Sequence, residues 1–273
     1  MSNNTRPIRA IIVATLWRRR WSLLWWTIGI GAFITLTLAV YPSFRDQAAQ
    51  LDQALKTFPD SAKALFTDTN DFLSPVGYLS SQVYYLLLPL LFSFLTVSLG
   101  SSLIAKEESS GTIELLLARP ISRTSLLLGK AAGGLAGSAL VALAIGLLGI
   151  VEVALIKFDG VQPTHVLLVT LMCYVMALLF GAIAFTLTAA GRYGRKASIG
   201  ITVLVAFGSY LVSSLDKTVT WLQTPAKFLP FHYYHPADIL RGHFTPVELF
   251  GMLAATAVLI ALASLAFRRR DLN

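Results

Sequence analysis

Charge is scarce in this chain. Only 13% of its 273 residues are Asp, Glu, Lys or Arg, and 55% are hydrophobic. A soluble domain carries about 25% charged residues, and one this apolar would expose large patches and aggregate. A soluble globular protein is therefore set aside. Cysteine is nearly absent. The single Cys173 lies in an apolar run, where a thiol behaves as a small hydrophobe, so the chain holds no internal disulfide framework and no Cys/His zinc spacing. The phosphate loop G-x-x-x-x-G-K-[ST] is missing, because Gly129-Lys130 is followed by Ala131, which has no hydroxyl for magnesium. H-E-x-x-H is missing too. His165, His232, His235 and His243 fall in or beside polar loops. His232 and His235 could share a metal, but no third ligand is evident, and interface histidines are the plainer reading. An intramembrane enzyme is thus a weak rival. The first apolar run lacks a small-residue cleavage site, so it reads as an anchor and not a cleaved signal peptide.

What the chain has is long hydrophobic runs. A helix needs about 20 apolar residues to cross the hydrocarbon core, and six runs qualify: 21–42, 83–104, 130–156, 165–190, 198–215 and 249–267. In lipid the backbone must satisfy its own hydrogen bonds, so each is expected to be helical. The fold class is an all-α integral membrane protein, with residues 1–273 as a single transmembrane domain. Six spans put both termini on one side. Fifteen of the 22 Lys and Arg fall in segments on that side, including Arg18–Arg20 and Arg268–Arg270 at span ends; seven, among them Arg45, Lys157 and Arg241, fall on the other. Lys and Arg are enriched in cytoplasmic loops, so both termini are expected in the cytoplasm. That placement explains the net charge of +8 without nucleic acid.

The loops carry further pattern. Ile8, Ile11, Ile12 and Leu16 among basic residues over 7–20 suit an amphipathic helix lying on the inner surface before the first span. The external loop 43–82 is acidic. Leu51, Leu55 and Phe58 recur in it at helical spacing up to Pro59-Asp60, which suggests a small helical cap. The external loop 216–248 carries Trp221, Phe228, Phe231, Tyr233 and Tyr234 with Pro225, Pro230 and Pro236. Aromatic residues favour the membrane–water interface, and the loop reads either as short helices dipping into the outer leaflet or as an ordinary loop with interface anchors.

The most informative stretch lies in the coupling segment 105–129, between the second and third spans. It runs Glu107-Glu108-Ser109-Ser110-Gly111-Thr112-Ile113-Glu114-Leu115-Leu116-Leu117-Ala118-Arg119-Pro120-Ile121-Ser122-Arg123. Thr112 is an N-cap candidate, and Glu114 in the first turn suits the helix dipole. Leu115, Leu116 and Leu117 would form an apolar knob flanked by charge, which needs a partner. Arg119-Pro120 stops the helix.

This string resembles the signature of permease subunits of ATP-binding-cassette (ABC) transporters of the type-2 exporter family, and the layout of nearly the whole chain fits. The resemblance implies two six-helix halves, identical or homologous, over two ATP-binding subunits. Those subunits bind ATP and magnesium, and the chain itself holds no cofactor. It implies that Gly111 to Arg123 form a coupling helix, that 7–20 form an interfacial elbow helix, and that the aromatic loop forms external re-entrant helices. In that setting Leu115–Leu117 would bury into the ATPase or an adjacent helix. Glu107, Glu108, Glu114, Arg119 and Arg123 would fix orientation through charge-assisted contacts, and Gly111 and Pro120 would shape the bend. The implied activity is export of an amphipathic substrate (a drug, antibiotic or lipid-like molecule) across a bacterial-type cytoplasmic membrane. Lipid movement and extracytoplasmic metalloenzyme maturation are alternatives within the family. A stand-alone channel is the alternative outside it, against which the coupling-like helix argues.

Two features concern the spans. Gly129, Gly133 and Gly137 recur every four residues, a row that lets another helix approach closely, either within the subunit or at a dimer seam. Glu152, near the outer end of the third span, is a candidate pathway group, since an intramembrane carboxylate is a functional hypothesis by default. Ser209, Tyr210 and Ser213 (with Ser214) form a candidate polar lining on the fifth span.

Overall fold

Proline marks where several helices of this chain begin. In a computed structural model, residues 5–46, 58–68, 71, 74–109, 122–158, 160–191 and 194–269 are described, and among them only helices and turns occur. Helix α1 is Thr5–Ala39, followed by α2 (Tyr41–Asp46), α3 (Asp60–Lys63) and α4 (Pro75–Leu79). Then come α5 (Leu87–Ser109), α6 (Arg123–Ile156), α7 (Pro163–Ala189) and α8 (Arg195–Leu215). The short α9 (Gln223–Ala226) and α10 (Pro236–Leu240) precede α11 (Pro246–Arg268). Pro163, Pro236 and Pro246 each open their helix, a position where the missing N–H costs nothing. Six rods are long and apolar enough to span a membrane: Ile8–Arg45, Pro75–Ile104, Arg123–Ile156, Pro163–Ala189, Arg195–Leu215 and Pro246–Arg268. The protein is a multi-pass membrane protein.

The first rod differs from the sequence expectation. Segment 7–20 is not a separate surface helix but the first part of α1, which runs unbroken through Arg18–Arg20. No Pro or Gly interrupts the chain between Ile8 and Ile28, and Ile11, Thr15 and Leu16 find a groove to fill on α6. At 1.5 Å per residue its 35 residues reach about 50 Å, well beyond a hydrocarbon core of about 30 Å.

Parallel pairing of non-neighbouring helices organises the bundle. Along α1 and α6, Ile11 meets Gly129, Thr15 meets Gly133, Leu23 meets Gly137 and Gly31 meets Leu148. The two helices therefore run the same way in a nearly constant register. Helices α5 and α7 repeat the arrangement, with Phe92 against Tyr174, Thr96 against Ala177 and Gly100 against Gly181. Helix α7 runs antiparallel to α6, where Gly146 meets Leu167 and Ser138 meets Tyr174. The odd and even rods thus alternate in direction, and the start of the first rod and the close of the last lie at one end of the bundle. The rods Pro75–Ile104 and Pro163–Ala189 form its centre, 72% buried over their most apolar stretch against 22–39% for the other four. Some of their polar side chains are satisfied in the helix itself: Thr170 bonds the Val166 carbonyl at 2.7 Å, and Ser102 that of Ser98 at 2.6 Å.

A main core joins α1, α5, α6 and α7 through Ile34, Phe92, Ile145, Met176 and Phe180. A second, smaller core of Leu103, Ile104, Leu127, Ala131, Phe185, Ala189, Ala263 and Phe267 ties α5, α6, α7 and α11 together at the terminal end. The opposite end is capped by short helices of the 216–248 loop. Phe231 packs on Phe180 and Tyr210, and the Tyr234 hydroxyl donates to the Tyr84 carbonyl at 2.9 Å. Trp221 and Phe228 face outward, so the loop divides its aromatics between bundle and surroundings.

Candidate functional site

Two regions answer to the residues singled out in the sequence, one at each end of the bundle. At the terminal end, α5 runs as helical backbone through Glu107 and Glu108 to Ser109, and α6 begins at Arg123. Between them Gly111, Thr112, Glu114, Leu115, Leu116, Leu117, Arg119 and Pro120 lie outside the described residues. Ser122 caps α6, its hydroxyl accepting from the Ser125 N–H at 3.1 Å, a cap worth about 1 kcal/mol.

The first turns of α6 present two small faces. Gly129, Gly133 and Gly137 face α1: a methyl group on them would meet Ile11 at 2.9 Å, Thr15 at 2.8 Å and Leu23 at 2.9 Å. The glycine row thus serves packing within the chain. Ala131, Gly134 and Ser138 face α5, α7 and α11 around a small cavity of about 40 Å³ that Gly100, Leu103, Gly181 and Thr256 also line. Sequence reasoning found the first face, whose four-residue repeat is visible, and missed the second.

At the opposite end lies a larger cavity of about 220 Å³ between α5 and α8. Leu86, Leu90, Ser93, Phe94 and Val97 form one wall, Val203, Ala206, Phe207 and Tyr210 the other, and Phe231 a further side. Its lining is apolar and aromatic apart from two hydroxyls. Ser93 is buried and its Oγ has no hydrogen-bond partner among the described residues. The Tyr210 hydroxyl is turned away to donate to the Leu65 carbonyl.

That bond is one of a set. The Tyr85 hydroxyl donates to the Ala64 carbonyl at 2.7 Å, and Ser81 to Thr67 at 2.7 Å. Asp68 accepts from Ser80 at 2.8 Å and from the Ala237 N–H at 2.9 Å. The segment 58–68 is thereby fastened over the ends of α5 and α8 and to the cap helix α10. A π-helical turn at Ser80–Tyr84, closed by the Tyr85 N–H on the Ser80 carbonyl at 2.7 Å, lies where these tyrosines leave the rod. Such bulges often mark functional sites, and no sequence pattern announces this one.

The candidate pathway residues do not share one lining. Tyr210 lines the cavity, while the Ser209 hydroxyl accepts from the Phe231 N–H at 3.2 Å and fastens the cap. The Ser213 hydroxyl is buried without a partner among the described residues. Glu152 sits apart, between α1 and α6. One of its carboxylate oxygens accepts from the Thr35 hydroxyl, and the other is buried without a partner among the described residues. Of the histidines, His232 Nδ1 lies 2.9 Å from Asp216 and His165 Nδ1 lies 3.0 Å from the Leu240 carbonyl. Among the described residues no group of His, Cys, Asp and Glu is suited to hold a metal.

Comparison with known proteins fits this architecture. Residues 16–272 match the family described as ABC-2 family transporter protein. A Mycobacterium tuberculosis protein named a multidrug efflux system permease protein is 29% identical over 266 residues, covering 94% of this chain. The chain spans 44% of that relative's length.

Proposed function

The chain belongs to the ABC-2 transporter family, and on that premise we propose that it is one permease half of an ABC exporter for amphipathic molecules. The cavity between α5 and α8 carries the substrate class. It is apolar and aromatic, large enough for a ring-sized group, and lacks the carboxylate or carbonyl ring that a bare ion would need. Binding pockets of this kind are mostly apolar with a few polar groups that set orientation. The similarity to a permease named for multidrug efflux points the same way.

The energy comes from outside the chain. Separate ATP-binding subunits, two per complex, hold ATP and magnesium and dock on the coupling stretch from Gly111 to Arg123. Leu115, Leu116 and Leu117 are the buried contact there. Glu107, Glu108, Glu114, Arg119 and Arg123 set orientation, and Gly111 and Pro120 shape the turn. The terminal end of the bundle then faces the cytoplasm, as the basic residues favour, and the fastened cap faces outward from a bacterial-type cytoplasmic membrane. A second permease half completes the path. The similar relative is more than twice as long as the stretch it shares with this chain, which leaves room for such a half. ATP drives export by favouring one of two arrangements of the halves, and substrate must bind those arrangements unequally for coupling to occur.

Co-purification of the tagged chain from its native membrane, with mass spectrometry of what accompanies it, tests this reading. A stoichiometric partner bearing a phosphate loop is expected. A folded chain recovered under mild detergent with no ATPase would overturn it in favour of a channel or an enzyme.

A further inference from the structure

A lysine inside a helix bundle is costly to keep and marks a task. Lys130 is only 8% exposed, two turns into α6, and its ammonium donates to the Leu103 carbonyl of α5 at 3.1 Å. Leu103 stands six residues before the end of α5 at Ser109. Beside Lys130 the two helices share the apolar contacts of Leu103, Ile104, Leu127 and Ala131, which are non-directional. Gly134 offers Leu103 only a backbone surface, and the small cavity lined by Gly100, Ala131, Gly134 and Gly181 lies beside the contact. Smooth surfaces next to a void forfeit dispersion contacts and leave room to slide. A charge-assisted hydrogen bond in a low-dielectric interior resists that sliding. On its other side α6 is already fixed, through Gly129 and Gly133 against Ile11 and Thr15 of α1.

We propose that Lys130 is a positioning residue that clamps the two roots of the coupling stretch, the end of α5 and the start of α6, so that a push on the stretch moves both spans as one body. The proposal rests on the exporter reading above. Without the clamp, displacement of one root is lost as slip between α5 and α6. ATP is then hydrolysed without proportionate transport.

Lys130→Met keeps the aliphatic stem and removes the ammonium. Lys130→Arg restores a buried cation, and Lys130→Gln supplies a neutral donor. The complex with its co-purified ATPase is reconstituted in vesicles, with rhodamine 6G as the exported probe. For Lys130→Met, dye moved per ATP is expected to fall about fivefold or more, within the usual range of coupling between sites, while the rate of ATP hydrolysis changes less than about twofold on the same scale. Lys130→Arg recovers coupling. In parallel, amide exchange of peptides covering 99–109 and 122–130 is measured on the chain alone, and both exchange faster in Lys130→Met and Lys130→Gln. Unchanged exchange in both variants, or equal loss of hydrolysis and transport without rescue by Lys130→Arg, overturns the clamp. Wild-type complex that moves no dye, or a chain that recovers no ATPase, counts against the exporter reading instead, and the clamp then stands or falls on the exchange data.

Discussion

At the scale of single residues, the centre of the bundle rests on atoms that are not there. Gly100 and Gly181 let α5 and α7 touch backbone to backbone: a methyl group on Gly181 would lie 2.8 Å from Thr96 Cβ, and one on Gly100 would strike the Gly181 carbonyl. Gly181→Ala should therefore destabilise the protein by about 1–3 kcal/mol, the cost of overpacking, and lower its thermal midpoint in detergent. A second prediction concerns the membrane carboxylate. Thr35→Val leaves both oxygens of the buried Glu152 without a donor among the described residues, which should cost about 1–3 kcal/mol. Thr35→Ser should restore the bond, and thermal melts of the two variants compare them. Lys157 closes α6 in the left-handed region, with φ of 57°. Lys157→Gly should relieve strain of about 1 kcal/mol and raise the same midpoint. The row Gly129, Gly133, Gly137 was legible in the sequence because it repeats once per turn. Gly100 and Gly181 were not, since two lone glycines 81 positions apart carry no periodic signal. Lys130 was legible only as one more basic residue near a span end. Burial came from the helices that close over it, and no local pattern encodes those.

At the scale of elements, the fastening of segment 58–68 makes the clearest prediction. Two hydroxyls, from Tyr85 and Tyr210, hold consecutive carbonyls of that segment, and Tyr210 also lines the cavity. Tyr85→Phe with Tyr210→Phe keeps the rings and removes both bonds. A cysteine placed at Ser93 should then react faster with a membrane-impermeant thiol reagent than the same cysteine in the parent chain, and Cys173, fully buried, gives little background. An unchanged rate would mean that the segment does not screen the cavity. For the coupling stretch, Glu114→Lys should weaken ATPase docking or transport while membrane insertion persists, which co-purification and fractionation would read. Hydropathy located all six rods, because lipid tolerates so few charges. It could not mark the ends of α1, since the helix outruns the apolar window by packing on α6, nor the π-helical turn, where Ser80–Tyr84 has the composition of an ordinary helix.

At the scale of the whole molecule, the six-span layout was readable from the long apolar runs and the family from one string between the second and third of them. The arrangement of the spans was not, because a pairing such as α1 with α6 depends on the sum of many small contacts far apart in sequence. That pairing has a consequence for how the protein is made. The main partners are α1 with α6 and α5 with α7, so none of the first four spans finds its chief partner in the span next to it in sequence. The first rod must wait in the bilayer, with Thr35 and its groove-facing side unmatched, until the third has been synthesised. The second must wait for the fourth. The first two spans cannot settle against each other as a hairpin, and they are held for a time by lipid or by insertion machinery alone. A nascent chain stopped before Pro163 should accordingly be a ready substrate for membrane proteases, and one carried past Ala189 should resist them.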